Sequence, residues 1–316
     1  MTQRDILKDA MAKVLPEVDA MLGWRMGNDP LRAQPYRIRT AEDLDQLVFN
    51  PLCVNNLSVQ LMHLRGKKVG IPVKGCDSRS VVQMLQEKVI SRESVVVFGL
   101  PCTGVVDLKK IARIAGLDTI DALDIADRQA SLTIGGQTTS LPLADVLADK
   151  CLTCRYPNPV IYDHLVGEPV EPWAPAVLPQ MEAFALKSLQ ERFAYWQGQM
   201  DRCIRCYACR NACPLCFCRD VCLCDSRDPH WQSQETSIRE KFMVQAIHAM
   251  HLAGRCTECG ECERSCPVDI PLLTMKREMN AIIKALFNYE SGVDPEAVPP
   301  LMTFQVIEET FKEITW

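Results

Sequence analysis

Apolar residues recur along the chain at spacings that change from helical to strand-like and back. Helical spacing over residues 4–22 and a capping-box-like Thr-Ala-Glu-Asp at 40–43 predict two helices near the amino terminus. Beyond residue 64, two short apolar runs typical of strands are each followed by a helical pattern. This βαβα order predicts a parallel sheet. The strand patterns cover 68–73 and 94–98, and the helical patterns cover 78–88 and 105–115.

A glycine pair and a proline-rich stretch mark the next boundaries. Gly135 and Gly136 lie between Thr-rich runs at 129–140, which predicts a hairpin, and a short helix is expected over 143–148. Six prolines fall between residues 157 and 179, where neither a helix interior nor a central strand is compatible with them. The predicted organisation is an α/β domain at 1–156, an extended linker at 157–180, a second domain at 181–290 and a tail at 291–316.

Helical patterns dominate the second domain. They cover 181–197, 237–252 and 272–287, and they frame two cysteine-rich stretches. The predicted fold class is therefore α/β, with a partly parallel sheet and covering helices, plus a small α-helical, ferredoxin-like domain. The pattern does not decide whether the tail docks on the first domain or on a partner.

Composition narrows the class of protein. At 316 residues the chain is long enough for two domains, and 47% apolar with 24% charged residues is typical of globular proteins. A formal net charge of -5 gives no general electrostatic reason for binding nucleic acid or anionic lipid. No run of about eighteen apolar residues occurs and the start has no apolar signal core, so we expect no membrane span and a cytoplasmic location.

The chain contains 17 cysteines, twelve of them between Cys203 and Cys266. In a reducing compartment, dense cysteines at short spacing indicate metal ligation more often than disulfides, and an odd total argues against complete pairing.

Two copies of the bacterial ferredoxin pattern, Cys-x2-Cys-x2-Cys-x3-Cys-Pro, begin at Cys203 and Cys256. In two-cluster ferredoxins the fourth cysteine of each run binds the other cluster, which predicts two 4Fe-4S clusters with crossed ligands. Two zinc knuckles are the alternative, but they fit a triple-plus-one pattern poorly. The expected ligand sets are Cys203, Cys206, Cys209 and Cys266, and Cys213, Cys256, Cys259 and Cys262.

Five arginines lie between or beside these ligands. They either tune the potentials of negatively charged clusters or are ordinary solvated charges. His248 and His251 fit surface or core positions better than ligation, since the cysteines already suffice. The arginines are Arg202, Arg205, Arg210, Arg255 and Arg264.

A second group of cysteines follows the first ferredoxin run in the segment PLCFCRDVCLC. Four thiols within nine residues are consistent with a further iron-sulfur cluster, with Cys53 replacing one of them, or with a zinc knot. The remaining alternative is free cysteines in the core. The group consists of Cys216, Cys218, Cys222 and Cys224.

A third group is spread along the first domain. Cys76 follows the first predicted strand and Cys102 follows the second, and loops after neighbouring parallel strands meet at one sheet edge. With Cys151 and Cys154 they predict a four-thiolate cluster site. A redox disulfide between Cys151 and Cys154, or plain burial, are the alternatives.

Four segments carry a family resemblance: VGIPVKGCDSRSVVQMLQE, VVVFGLPCTG, CLTC and CIRCYACRNACPLCFCRD. Over residues 50–270 the chain resembles the beta subunits of deazaflavin-coenzyme (F-420) hydrogenases and dehydrogenases, especially the formate dehydrogenase beta subunit. The resemblance implies an α/β domain with an iron-sulfur cluster, and often FAD, joined to a ferredoxin-like dicluster domain. It also implies partners of the formate dehydrogenase, hydrogenase or heterodisulfide-reductase type.

Flavin binding follows from the resemblance rather than from a fingerprint, since no GxGxxG pattern occurs and only about 150 residues precede CLTC. Lys74, Arg79, Thr103 and Gly104 are the candidates for contact with a phosphate or a flavin at a helix start, and ordinary capping or surface roles are the alternative.

The leading hypothesis is an electron-relay subunit of a cytoplasmic redox complex, in which no residue acts as acid, base or nucleophile. The alternative is a flavin-containing oxidoreductase subunit that exchanges hydride with deazaflavin or NAD(P). A zinc-stabilised interaction module is a third class.

Overall fold

The first domain is built on a five-stranded sheet. The computed structural model describes residues 2–116, 120–126, 128–173, 179–218, 222, 233 and 235–304. Four strands of the sheet run parallel to one another. The fifth, at one edge of the sheet, is antiparallel to its neighbour. The strands are β1 (Ala20–Met26), β2 (Ala33–Ile38), β3 (Val69–Lys74), β4 (Val95–Leu100) and β8 (His164–Leu165), in the order β2-β1-β3-β4-β8. The predicted α/β class with a partly parallel sheet is confirmed.

The amino-terminal helix is shorter than its periodicity predicts. α1 (Gln3–Val14) begins at a capping box formed by Thr2, and Pro16 follows in a 3-10 turn. The chain then enters β1 at Ala20. The prediction of a helix over 4–22 is therefore wrong in its second half, where an apolar strand was taken for the end of a helix. The helix expected after residue 40 is a short 3-10 helix at Glu42–Gln46.

The parallel unit forms as its pattern predicts. β3 and β4 pair in register from Val69 with Val95 to Lys74 with Leu100, and every residue of β3 is buried. α2 (Gly75–Gln86) starts directly at the end of β3, and α3 (Leu108–Ala115) starts where the Asp107 carboxylate accepts the Lys109 N–H. Both strands therefore end at the same edge of the sheet.

A separate antiparallel sheet contains the predicted hairpin. It consists of β5 (Ala122–Ala126), β6 (Gln129–Ile134) and β7 (Gln137–Pro142). Gly135 and Gly136 form the β6–β7 turn with positive φ values of 54° and 79°, which explains the glycine pair. Two short helices follow, α4 (Leu143–Val146) and α5 (Asp149–Leu152).

The proline-rich stretch contributes to the sheet. β8 lies inside the predicted linker and pairs with β4 at Phe98 and Gly99. The Asp163 carboxylate accepts the Val97 N–H, which holds the stretch to the sheet edge. Residues 174–178 of the predicted linker lie outside the described residues.

Helices frame the cysteine runs, although the first of the predicted helices is observed as two separate helices. Ser188 forms a capping box with Glu191 and starts a new helix within the span predicted over 181–197. The helices are α6 (Pro179–Ala185), α7 (Leu189–Asp201), α8 (Ala208–Asn211), α9 (Ile238–His251), α10 (Glu261–Arg264) and α11 (Leu272–Phe287).

The segment after α11 packs on α2 of the first domain. The Tyr289 hydroxyl donates to the Gln83 side chain at 2.9 Å, and the Arg79 guanidinium donates to the Ser291 carbonyl. The start of the tail therefore docks on the first domain, while residues 305–316 lie outside the described residues.

In the part of the chain that the structure describes, no helix combines the length and the apolar character needed to cross a bilayer.

Candidate metal centres

Four cysteines of the first domain line one cavity at the carboxyl edge of the parallel strands. Cys76 lies in the first turn of α2, and Cys102 lies two residues after β4. Cys151 belongs to α5, and Cys154 follows it closely. All four side chains face the same cavity, at the edge that the strand order predicts. None of them forms a disulfide. Their role as ligands stays a prediction.

Two glycines bring the backbone close to these thiols. A Cβ on Gly75 would lie 1.9 Å from the Tyr156 carbonyl oxygen, so only glycine allows α2 to begin against this segment. Gly104, with φ at +119°, donates its N–H to the Cys102 Sγ at 3.4 Å. The Val105 N–H donates to the Cys151 Sγ at 3.3 Å. Backbone N–H groups thus point at two of the four sulfurs, as they do around iron-sulfur clusters.

Burial in this cavity favours the protonated form of the Cys76, Cys102 and Cys154 thiols. Burial, and then the nearby Cys151 thiol, raise the pKa of Cys102 to about 12. Burial also raises the pKa of Cys76 well above its usual value. Because iron binds thiolates, iron bound at these cysteines would displace their protons.

The four flavin or phosphate candidates have partners within the chain. The Lys74 ammonium, 2% exposed, pairs with Asp77 at 2.8 Å and lies over the Trp24 ring. Arg79 stacks on Tyr156 in addition to its bonds to the tail. The Thr103 carbonyl accepts the Trp173 indole N–H, and the Gly104 N–H donates to sulfur as described above. Lys74, Arg79 and Gly104 still line the cysteine cavity, and the flavin assignment stays a prediction.

The two ferredoxin runs share one backbone conformation. In each run the residue before the second cysteine has a left-handed φ, 52° at Arg205 and 58° at Glu258. The residue after the second cysteine is left-handed as well, with 58° at Tyr207 and 71° at Gly260. A short helix then begins and carries the third cysteine, α8 in the first run and α10 in the second. The runs are therefore structural repeats, as their sequences predict.

The ligands predicted to bind the first cluster lie around one apolar cluster. Cys203, Cys209 and Cys266 pack there with Trp196 and Met200. Cys262, a predicted ligand of the other site, belongs to the same apolar cluster. The Arg205 and Ile270 N–H groups donate to the sulfurs of Cys203 and Cys266, each at 3.4 Å. Cys206 is exposed. The fourth cysteine of the second run therefore lies with the first run, which is the arrangement that crossed ligation requires.

Cys213 lies with the second run. Burial raises its pKa well above the usual value, and the neighbouring thiols of Cys259, Cys262 and Cys256 raise it further. Burial also raises the pKa of Cys256 and Cys259 to about 11 each. Three buried thiols and the half-buried Cys213 fit a 4Fe-4S cluster by donor type and environment.

Two lysines near these thiols were not singled out from the sequence. Lys276 is 3% exposed on α11, and its Nζ lies 3.2 Å from the Nδ1 of His248. Lys150 lines the cysteine cavity of the first domain, and its Nζ donates to the Cys259 carbonyl. Lys276 lies on the same face of α11 as the buried Leu272 and Leu273. The sequence signal that could have identified it was a charged residue on an otherwise apolar helix face. For Lys150, the only signal in the sequence was its position next to Cys151.

The second ferredoxin run borders the cysteine cavity of the first domain. Thr257 and Glu258 line that cavity, and the Thr257 and Ser80 hydroxyls are 2.9 Å apart. Arg277 of α11 donates to Glu258 at 2.9 Å and to the Thr153 hydroxyl at 2.8 Å. The two candidate sites are thus joined by direct contacts between the domains.

The arginines beside the ligands bind carbonyl, amide or carboxylate groups. Arg255 pairs with Glu87 at 2.7 Å, and Arg264 pairs with Glu261 at 2.7 Å. Arg202 and Arg205 donate to backbone carbonyls, and Arg210 donates to Asn211. Both interpretations of these residues remain predictions.

The cysteines after the first run are partly described. Cys218 and Cys222 pack with Val244, and burial raises the pKa of Cys216 to about 11, with Cys222 adding to the shift. Cys224 lies outside the described residues. Cys53 is buried in the first domain, where its thiol donates to the Val48 carbonyl. Among the described side chains, no three of His, Cys, Asp or Glu converge on one ion position.

Comparison with known proteins supports the assignment of the second half of the chain. The 4Fe-4S dicluster domain family matches residues 199–270, which include both ferredoxin runs. A beta subunit of F420-dependent formate dehydrogenase from Methanocaldococcus jannaschii is 24% identical, over 91% of this chain and 90% of its own length. Over about nine tenths of its length, the chain is similar to beta subunits of F420-dependent formate dehydrogenases. The resemblance inferred from the motifs is confirmed.

Two further comparisons gave matches of different extent. The beta subunit of F420-dependent formate dehydrogenase 1 from Methanococcus maripaludis is 25% identical, over 90% of this chain and 89% of its own length. A chain of the F420-reducing [NiFe] hydrogenase complex from Methanosarcina barkeri superposes with a TM-score of 0.37 and 20% identity, over 47% of this chain and 58% of that one. The second half of this chain therefore carries a 4Fe-4S dicluster domain, and the curated relatives are named as subunits of dehydrogenases.

Proposed function

We propose that the chain relays single electrons between a catalytic partner and a carrier within a cytoplasmic multi-subunit complex. The observation that carries this proposal is the contact between the cysteine cavity of the first domain and the second ferredoxin run, through Thr257 and Glu258. Adjoining thiolate sites permit stepwise transfer, and each 4Fe-4S cluster supplies a one-electron centre when bound.

Three sites in series follow from this arrangement. The first-domain site uses Cys76, Cys102, Cys151 and Cys154. The middle site uses Cys213, Cys256, Cys259 and Cys262, and the outer site uses Cys203, Cys206, Cys209 and Cys266. Cys206 is the exposed member of the outer set, so this end of the series is open to a redox partner at the surface.

The protein contributes dry surroundings and hydrogen bonds rather than acid-base chemistry. Backbone N–H groups of Gly104, Val105, Arg205 and Ile270 donate to sulfurs, which stabilises the more negative charge of a reduced site. The names of the relatives make F420, formate dehydrogenase subunits and hydrogenase subunits the first candidates for carrier and partners.

The second candidate is a subunit with its own flavin that exchanges hydride with deazaflavin or NAD(P). It is favoured by the F420 dependence in the names of the relatives, because a two-electron carrier needs a group that divides hydride into single electrons. About one FAD released per chain from anaerobic protein would support this second candidate. If no flavin is released, the electron relay without a flavin is the remaining candidate.

Substitution of a middle-site ligand tests the relay. We expect Cys259→Ser to remove one cubane signal from the electron paramagnetic resonance spectrum, to leave the first-domain signal, and to slow transfer between the two ends. Cys53→Ser is the matched control for the middle-site signal, because Cys53 is an equally buried cysteine that belongs to none of the three ligand sets of the series and donates its thiol to the Val48 carbonyl. A Cys259→Ser protein with every signal retained would contradict the ligand assignment.

A further inference from the structure

One lysine lies where the first-domain site meets the middle site. The Lys150 side chain lines the cavity that contains Cys76 and Cys151, while its Nζ donates to the carbonyl of the middle-site residue Cys259. Its aliphatic part packs against Gly260, where a Cβ would lie 2.5 Å from the Lys150 Cδ. The ammonium group is thus held between two sets of thiols that come from different domains.

A second lysine lies where the middle site meets the outer site. Lys276 is buried on α11, one turn after Leu272, which packs in the apolar cluster that contains Cys262 of the middle site and Cys209 of the outer site. In agreement with this position, its charge acts on the thiols of Cys262, Cys213 and Cys256. These are middle-site residues. The same charge acts on Cys209 of the outer site. One cation therefore faces both halves of the dicluster.

The immediate partners of both ammonium groups are neutral. Lys150 donates to a carbonyl oxygen, and Lys276 contacts the imidazole of His248, whose pKa is held well below its usual value by burial and by the lysine charge. Glu261 is the acidic group that acts on Lys150, and its carboxylate is paired with Arg264 at 2.7 Å. Lys74 differs, because its charge is matched by Asp77 at 2.8 Å.

We infer that Lys150 and Lys276 are fixed positive charges, each shared by two neighbouring iron-sulfur sites, that raise the reduction potentials of both sites they face. The inference rests on the proposed function. Reduction adds one electron to a site that already carries negative charge, and a nearby cation in a medium of low dielectric constant stabilises the reduced form. A shared cation acts on two sites together, so it keeps their potentials close and favours transfer in either direction.

Reduction potentials measured by anaerobic titration with electron paramagnetic resonance detection test this inference on the full chain. Lys150→Gln should move the first-domain and middle potentials to more negative values and leave the outer potential unchanged. Lys276→Gln should move the middle and outer potentials and leave that of the first domain. Signals are assigned with Cys76→Ser and Cys259→Ser, and Lys8→Gln is the control for loss of a surface charge. Lys150→Arg and Lys276→Arg should keep the wild-type potentials.

Each possible outcome of these measurements either supports or overturns the inference. Unchanged potentials in both Gln variants, or equal shifts at all three sites, overturn the inference. Loss of iron in the Gln variants with retention in the Arg variants supports a requirement for the charge, whereas loss in both shows a packing role and overturns it. Wild-type protein without cubane signals is a failure of the proposed function, whereas normal signals with unshifted potentials are a failure of this inference alone.

Discussion

At the scale of single residues, a buried ion pair lies beside the first-domain cavity, which Lys74 lines. Lys74 and Asp77 are 2% and 1% exposed, and their charged atoms are 2.8 Å apart. We expect Asp77→Ala to lower the free energy of unfolding by about 3–5 kcal/mol, because it leaves the Lys74 ammonium buried without its counter-charge. Urea unfolding of the anaerobic protein measures this loss.

The control is a surface ion pair of the same kind. Asp45 pairs with Lys8 at 2.6 Å but is 73% exposed, so Asp45→Ala should change the unfolding free energy little. Equal losses in the two variants would show that burial of the Lys74–Asp77 pair has no energetic consequence.

Residue types and spacing identify the two ferredoxin runs but not the side chains that surround them. The two ferredoxin runs were predictable because short loops must bring three successive thiolates to one cluster. Lys150 and Lys276 were not, because their positions near thiols depend on contacts between α5, α11 and the second run that no local pattern records.

At the scale of elements, the start of α2 depends on a residue without a side chain. A Cβ on Gly75 would lie 1.9 Å from the Tyr156 carbonyl oxygen, and backbone at this place cannot yield as a flexible side chain does. We expect Gly75→Ala to destabilise the protein by about 1–3 kcal/mol. We also expect the iron content to fall by about four atoms per chain, while the dicluster signals remain. Iron analysis with paramagnetic resonance checks both.

Gly198→Ala is the matched control at a position where an added side chain has room. Gly198 lies within α7, and a Cβ added there would have no atom within 4 Å. Alanine should therefore stabilise the protein by about 0.5–1 kcal/mol and keep all the iron. An iron content that is the same in both glycine variants would contradict the account of the first-domain site.

The packing of α9 on α11 predicts a dependence on pH. Burial, and then the charge of Lys276, hold the pKa of His248 well below its usual value of 6.5. As the pH falls below about 6.5, the unfolded chain takes up a proton that the folded chain does not, so the unfolding free energy falls. We expect His248→Gln to reduce this fall between about pH 7.5 and about pH 5.5, as measured by urea midpoints. His63→Gln on the surface is the control, and an undiminished fall in the His248 variant would be evidence against this coupling.

Local pattern predicted the parallel unit and the hairpin but failed where tertiary contacts decide. The helix over 4–22 was predicted too long because buried β1 is as apolar as the buried face of a helix. Pro16 was the missed signal for the end of the helix. β8 could not be predicted from a proline-rich stretch, since it forms by pairing with the edge of β4.

At the scale of the whole molecule, the two domains form a continuous series of candidate sites. Contacts through Lys150, Thr257 and Arg277 join the first-domain cavity to the second ferredoxin run. The sequence predicted two domains with three groups of cysteines, and it did not predict which ferredoxin run would face the first domain. That order arises from docking of the domains, which spacing along the chain does not specify.

The most direct test of the central claim is anaerobic analysis of iron, sulfide and zinc in the full chain. Three 4Fe-4S sites predict about twelve iron and about twelve sulfide per chain in brown protein. Colourless protein that contains zinc and little iron, although prepared without oxygen, would contradict the account.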